Sequence, residues 1–121
     1  VGRIGENVAA EFLERKGFTI IGRNYRRPWG EIDIIAEKEG VVRFVEVKAV
    51  TREMTPNVTR DGQAYRPEEH VHPAKLKRLA RTAETYMANT NDQRDFQIDV
   101  VGVFLDMNKR EARCRLYEQV L

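Results

Sequence analysis

The sequence predicts an α/β fold, in which helices flank a central mixed β-sheet within a single domain spanning residues 1–121. Hydrophobic spacing gives the order helix, three strands, helix, two strands, and this order is typical of helices packed on a sheet. A chain of 121 residues is long enough for one hydrophobic core and short enough for one domain. A parallel pair of strands joined through the second helix would need a right-handed crossover.

Two segments have the spacing of amphipathic helices. The first is predicted from Gly2 to Lys16, where apolar residues recur every three or four positions and Gly17 follows as a stop. The second is predicted from Pro73 to about Ala88, because proline is favoured at the first helical position and the apolar residues after it form one stripe.

Five segments have the composition and alternation of strands. They are Phe18–Tyr25, Glu31–Lys38, Val41–Val50, Phe96–Leu105 and Glu111–Val120. A break is expected over Arg26–Gly30, since Pro and Gly interrupt strands. A tight hairpin is expected at Glu39 and Gly40, where glycine accepts positive φ. The stretch Thr51–His72 has no periodicity and is predicted to be a long loop, which makes it a candidate flap over a functional site.

Charge is nearly balanced, with 21 basic against 19 acidic residues and a net charge of +2, so net charge alone does not indicate a nucleic-acid-binding protein. The basic residues nevertheless cluster in two places. The clusters are Arg23, Arg26 and Arg27, and Lys75, Lys77, Arg78 and Arg81. Separated basic patches suit a polyanion better than a uniformly mixed surface does. They are therefore candidate phosphate contacts, and the alternative is that they only face water.

Other features exclude several classes of protein. No apolar run approaches the roughly 20 residues that cross a bilayer, so no membrane association is expected. Cys114 is the only cysteine, which excludes an internal disulfide and a cysteine-based zinc site. The first residues have no apolar signal-peptide core, and a cytoplasmic location is the expectation.

The chemistry-bearing residues lie on the predicted central hairpin. Glu31 and Asp33 alternate with isoleucines on its first strand, while Glu46 and Lys48 alternate with valines on its second. If residues 39 and 40 form a two-residue loop, Asp33 lies opposite Glu46 and Glu31 lies opposite Lys48. A four-residue loop keeps the two acids on one face as diagonal neighbours, whereas a loop of odd length separates them.

Two carboxylates directly opposite on one face have Cβ atoms about 5 Å apart and repel unless a cation lies between them. Carboxylates, carbonyls and water are the ligands that Mg²⁺ prefers, and such an ion polarises a phosphate and supplies a hydroxide nucleophile. Lys48 would then orient the water or stabilise the developing charge. The alternative is a solvated strand face in which Glu46 and Lys48 make ordinary cross-strand ion pairs.

The hairpin resembles the core of the PD-(D/E)XK nucleases, which is an aspartate, a hairpin and then Glu-x-Lys. The matching segments are Gly30–Ala36 and Val42–Lys48, with Ile32 in place of the proline. More narrowly, the chain is similar to the bacterial YraN family, which is related in pattern to archaeal Holliday-junction resolvases. Further matches are Gly5, Glu6, Ala9, Ala10, Phe12, Leu13, Gly17 and Arg23–Arg26, with Phe96, Asp99, Val100 and Val101 later in the chain. The resemblance covers most of the chain and is specific in residues 2–48.

The resemblance implies a restriction-endonuclease-like fold with a Mg²⁺ or Mn²⁺ cofactor. Carried over by position, Asp33 and Glu46 would be the metal ligands, Lys48 the catalytic lysine, and Glu6 the helix glutamate that reaches the same site. For Glu6 the alternative is an acid that complements the helix dipole, and for Glu31 a cross-strand partner of Lys48 is favoured over a ligand. Resolvases also imply a homodimer, since two DNA strands need two cuts.

Three functional hypotheses follow. The first is a metal-dependent endonuclease that hydrolyses phosphodiester bonds in DNA, at branched or flapped structures. The alternative is a nucleic-acid-binding module that keeps the nuclease fold without catalysis, and the third is a structural adaptor. Three other polar residues are not assigned to the site. His70 and His72 lack a third ligand and are interpreted as solvent-exposed, with His72 near a helix start. Asp99 is either a buried, hydrogen-bonded acid near the site or a structural partner of an arginine, and the second is favoured.

Overall fold

The computed structural model describes residues 2–51 and 71–121. Within them the chain forms two helices and five strands in the predicted order. The elements are α1 (Gly2–Arg15), β1 (Thr19–Arg27), β2 (Gly30–Lys38), β3 (Val41–Thr51), α2 (Pro73–Asn89), β4 (Phe96–Asp106) and β5 (Glu111–Tyr117). No helix in these described ranges is long and apolar enough to cross a membrane.

The strands form one mixed sheet in the order β1-β2-β3-β4-β5. β3 and β4 run parallel, and the other neighbouring pairs are antiparallel. α2 belongs to the connection between the two parallel strands, as a crossover requires. The prediction of an α/β fold with a central mixed sheet flanked by helices is confirmed, and the arrangement is consistent with a restriction-endonuclease-like fold.

Each helix covers its own hydrophobic core. The α1-side core contains Ala9, Ala10, Leu13, Phe18, Ile34, Ala36, Val45, Val101, Val103 and Leu105. The α2-side core contains Ile32, Ile35, Val42, Phe44, Leu79, Ala83, Met87 and Ile98. Because successive side chains of a strand point to opposite faces, Phe44 and Val45 of β3 enter different cores. β3 is therefore fixed from both sides.

The predicted boundaries hold closely except in two places. The predicted break over residues 26–30 is wrong, since β1 continues to Arg27, which pairs with Gly30, and only Pro28 and Trp29 form the turn. The last strand ends at Tyr117 rather than at Val120. The Val120 N–H still donates to the Ile98 carbonyl at 2.9 Å, so the tail continues alongside β4 beyond the regular ladder. Most of the predicted loop Thr51–His72 lies outside the described residues, because only 51, 71 and 72 are described.

The central hairpin has the predicted two-residue loop. Glu39 and Gly40 have φ of 54° and 78°, as a tight hairpin turn requires. The β2–β3 ladder then runs from Lys38↔Val41 to Ile34↔Val45 in the predicted register. It stops one pair before Asp33 would meet Glu46, and this early end creates the candidate site.

Candidate active site

The site lies where β2 and β3 separate. Beyond Ile34, β2 remains paired with β1, while β3 remains paired with β4 as far as Thr51↔Leu105. The Val47 N–H, which would otherwise lose its partner in the ladder, donates to Oδ2 of Asp33 at 2.8 Å. The aspartate side chain thus replaces a backbone acceptor at the point of separation.

At Asp33 the alternation of side chains along β1 and β2 is interrupted, so residues two apart point to opposite faces of the sheet. Ile34 packs in the α1-side core, yet Ile32 packs in the α2-side core, so the prediction that the two isoleucines share one face of the strand is wrong. On β1 the same interruption places Arg23 beside α1 and Tyr25 against α2. Asn24, between these two residues, has φ of 54°, a conformation that asparagine tolerates better than most residues.

A cavity of about 300 Å³ opens in this gap. Four elements contribute to its wall. The lining residues are Gly2, Glu6, Asp33, Glu46, Val47, Lys48, Ala49 and Lys75. The four predicted catalytic positions, Glu6, Asp33, Glu46 and Lys48, therefore meet in one cavity, and Lys75 joins them.

Glu6 reaches the cavity because α1 approaches β3 closely at Gly5. A Cβ atom at Gly5 would lie 2.7 Å from the Cβ of Ala49, so only glycine fits there without displacement. The next residue, Glu6, consequently projects into the gap between the strands. This position agrees with the helix glutamate that the family resemblance implies.

The carboxylates are crowded. Oxygens of Glu6, Glu31 and Asp33 all lie within 4.8 Å of one another, and Asp33 also contacts Glu46, whose residue surface is only 3% exposed. An all-oxygen set of this kind matches Mg²⁺ or Mn²⁺ rather than a soft metal. The prediction that Glu31 pairs with Lys48 is wrong, because β2 turns Glu31 toward Arg26 and this carboxylate cluster.

Crowding and burial shift the protonation of Asp33. Burial, followed by the charge of Glu46, raises the pKa of Asp33 from 3.8 to about 8, while the hydrogen bond from the Val47 N–H acts in the opposite direction. Glu6 adds a smaller repulsion. At neutral pH without a bound cation, Asp33 therefore retains its proton, and a divalent ion would have to displace it.

Three of the predicted phosphate contacts instead hold acids of this site. Arg23 lies 3.7 Å from Glu6, Arg26 lies 2.9 Å from Glu31, and Lys75 forms an ion pair with Glu46. The side chains of Arg26 and Lys75 are 72% and 41% exposed, so both can still contact solvent or a ligand. Of these pairs, only Arg26–Glu31 follows from a strand register. Arg23–Glu6 and Lys75–Glu46 join different elements, and no helical or strand spacing predicts them.

The remaining predicted contacts lie on the surface nearby. The Arg27 guanidinium lies 4.2 Å from the centroid of the Tyr25 ring, and Lys77 and Arg78 are exposed on α2. Among the described residues, Lys48 makes no ion pair, so its ammonium lines the cavity without a carboxylate partner.

The two aromatic residues of the first basic cluster pack within the protein. Arg81 of α2 covers Trp29, with 4.1 Å between its guanidinium carbon and the ring centroid. Tyr25 meets Tyr86 edge to face at 5.2 Å. Tyr25 and Trp29 are interleaved with Arg23, Arg26 and Arg27 in the sequence, a pattern that could stack on a base, but these contacts favour packing within the protein.

Residues assigned to structure have structural contacts. Asp99 is fully buried and accepts from Arg43 at 3.3 Å and from the Gln119 N–H at 2.8 Å, which confirms its pairing with an arginine. His72 caps α2 by accepting from the Ala74 N–H at 3.0 Å. Cys114 is partly buried on β5. His70 lies outside the described residues.

Comparison with known proteins gives consistent matches to one group. Residues 5–103 match the profile of the "Uncharacterised protein family UPF0102". A UPF0102 protein of Symbiobacterium thermophilum is 44% identical over 98% of this chain and 92% of its own length. UPF0102 proteins of Chloroherpeton thalassium and Alkaliphilus metalliredigens are 38% and 39% identical, over 92% and 91% of this chain and 80% and 90% of their own lengths.

Proposed function

This chain belongs to the UPF0102 family, known also as YraN, and we propose that it is a metal-dependent endonuclease that hydrolyses phosphodiester bonds in DNA, at branched or flapped structures. The observation that carries the proposal is the meeting of Glu6, Asp33, Glu46 and Lys48 in one cavity between two separating strands. Convergent carboxylates with a lysine are a recognised basis for assigning a reaction class.

The carboxylates of the cavity repel one another, and a divalent cation bound between them would neutralise that repulsion. Asp33 and Glu46 would hold Mg²⁺ or Mn²⁺, with Glu6 from α1 completing the oxygen set. The raised pKa of Asp33 supports this assignment, since burial and then the charge of Glu46 make an uncompensated carboxylate unfavourable at this position. The bound ion supplies Lewis acidity toward a phosphate and a water nucleophile.

Lys48 and the nearby basic residues supply positive charge for the substrate. The Lys48 ammonium lines the same cavity as the acids, where it would orient the attacking water or stabilise charge on the phosphate. Arg27, Lys77 and Arg78 would bind phosphates outside the cavity and fix the position of the DNA backbone. A homodimer would provide two such cavities for two strands, and sedimentation in solution tests that part of the proposal.

The second candidate is a nucleic-acid-binding module without catalysis. One observation favours it: the pairs Arg23–Glu6, Arg26–Glu31 and Lys75–Glu46 neutralise three acids with the protein's own cations. A site that remained in this state would bind phosphate and take up no metal.

A cleavage panel separates the two candidates. Linear, flapped and four-way DNA are incubated with the protein and Mn²⁺ or Mg²⁺, and products are resolved on denaturing gels. We expect cleavage that Lys48→Ala reduces by about 100- to 1000-fold, a typical loss for one donor that stabilises developing charge. Lys109→Ala, in the exposed turn after β4, is the matched control and should cleave normally. DNA binding without cleavage of any substrate under either metal would refute the endonuclease proposal and support the second candidate.

A further inference from the structure

The ion pair between Lys75 and Glu46 joins two very different environments. Glu46 lies on β3 at the base of the cavity, with only 4% of its side chain exposed, and cannot turn toward solvent. Lys75 lies in the first turn of α2, and 41% of its side chain is exposed. The acid is fixed, whereas the lysine has a flexible stem and a route to solvent.

We propose that Lys75 is a displaceable counter-ion: it neutralises Glu46 in the metal-free protein, leaves Glu46 when a divalent cation binds, and then contacts a substrate phosphate. The proposal rests on the proposed function, because it takes Glu46 as a metal ligand. The inference goes beyond that function because it assigns Lys75 two successive partners, Glu46 and then a substrate phosphate, and so links metal binding to DNA binding.

Competition for one carboxylate is the physical reason. Lys75 contacts Oε2 of Glu46, and this carboxylate also faces Asp33 inside the cavity. A divalent ion bound between the two acids would place its charge beside the ammonium, and like charges in a partly dry cavity repel strongly. Because Glu46 cannot move to water, Lys75 is the group that moves.

The freed ammonium stays at the cavity. Lys75 lines the same wall as Lys48, so an ammonium released from Glu46 remains near any phosphate bound there. The Arg26–Glu31 pair suits this role less well, since both side chains are substantially exposed and each can hydrate without leaving the other. Lys75 thus couples metal binding to phosphate binding.

The test measures Mn²⁺ affinity calorimetrically in the absence of DNA. Lys75→Gln removes the competitor and should tighten Mn²⁺ binding about fivefold, the factor that corresponds to an ion pair worth about 1 kcal/mol. Lys75→Arg keeps the charge and adds a forked carboxylate contact, so it should bind Mn²⁺ no better than the unsubstituted protein. Lys109→Gln makes the same charge change in the exposed turn after β4 and should leave Mn²⁺ affinity unchanged.

Displacement itself is visible by NMR in the unsubstituted protein. The ¹⁵N-labelled side-chain ammonium of Lys75 should exchange slowly with water while it is paired, and its signal should broaden when Mg²⁺ saturates the site. Persistence of the paired signal at saturation would overturn the proposal, as would equal tightening by Lys75→Gln and Lys109→Gln. If the unsubstituted protein binds Mn²⁺ and Lys75→Gln does not tighten it, only this inference fails. If neither protein binds the metal, the proposed function fails as well.

Discussion

Asp33→Asn should stabilise the metal-free protein at alkaline pH while abolishing its response to metal. The substitution removes the charge from the most crowded acid of the site but leaves an amide oxygen that can accept the Val47 N–H, now 2.8 Å from Oδ2. Local backbone structure should therefore survive. What changes is the cost of holding a carboxylate between Glu46 and Glu6.

The size of the effect follows from the pKa of Asp33, which rises from 3.8 to about 8 on folding. Each pKa unit corresponds to about 1.4 kcal/mol, so complete ionisation of a fully isolated group would cost about 6 kcal/mol. Asp33 interacts directly with Glu46 and keeps some contact with solvent, so we expect about 2–3 kcal/mol at pH 8. In a chain of this size, that gain would raise the melting temperature by roughly 6–15 °C.

The direction in which stability changes with pH depends on whether the folded or the unfolded protein holds the proton of Asp33. Below about pH 4 the carboxyl is protonated in both the folded and the unfolded chain, and Asp33→Asn should have little effect. Between pH 4 and about 8 the folded protein keeps a proton that the unfolded chain has released, so its free energy of unfolding falls as pH rises. The advantage of the variant should therefore grow across this window and level off above it.

Urea unfolding in EDTA at pH 4.5 and pH 8, repeated with Mn²⁺, measures both effects. Asp92→Asn is the control of opposite sign, because hydrogen bonds from Arg94 lower the pKa of Asp92 and its loss should not stabilise the protein at pH 8. A destabilisation by Asp33→Asn that is equal at both pH values would refute the reasoning. So would Mn²⁺ stabilising the variant as much as the unsubstituted protein.

Three further predictions test other parts of the structure. Gly5→Ala should lose about 1 kcal/mol of stability and weaken Mn²⁺ binding, since its new Cβ would lie 2.7 Å from that of Ala49 and push α1 outward; thermal melts and Mn²⁺ titration measure these changes. Asp99→Ala should lose about 3–5 kcal/mol in urea unfolding, because it leaves the buried Arg43 with one fewer partner, while Mn²⁺ affinity should change little. In the unsubstituted protein, Mn²⁺ affinity measured by calorimetry should rise by up to about tenfold per pH unit toward pH 8 and then level off, since a proton and the cation compete for Asp33.

The sequence predicted the hairpin register because a two-residue loop fixes which residues face each other. Glu39 and Gly40 both take positive φ, and the ladder counted back from them agrees as far as Ile34↔Val45. The end of the ladder was not predictable from the hairpin alone. The ladder ends because β2 stays paired with β1 while β3 stays paired with the parallel strand β4. No pattern within the hairpin sequence indicates where these two pairings diverge.

The pairing of Glu31 was missed for a reason that the sequence does contain. Pro28 and Trp29 also form a two-residue turn, and counting outward from it places Arg26 opposite Glu31. Treating residues 26–30 as a break concealed that register. The Lys75–Glu46 pair had no such signal, because it joins a strand to a helix 29 positions later through packing alone.

The four acids of the site differ in one respect that bears on its function. Glu6, Glu31 and Glu46 each have a basic side chain within ion-pair range, whereas Asp33 has none among the described residues. Ion pairs with half-exposed cations contribute little and cannot offset the cost of charging Asp33. A domain selected for stability alone would place an uncharged acceptor such as asparagine there, which could still accept from the Val47 N–H. Positive charge is therefore lacking at the point where the carboxylates converge. A bound divalent ion would supply that charge and, by binding only the folded state, would also restore the lost stability.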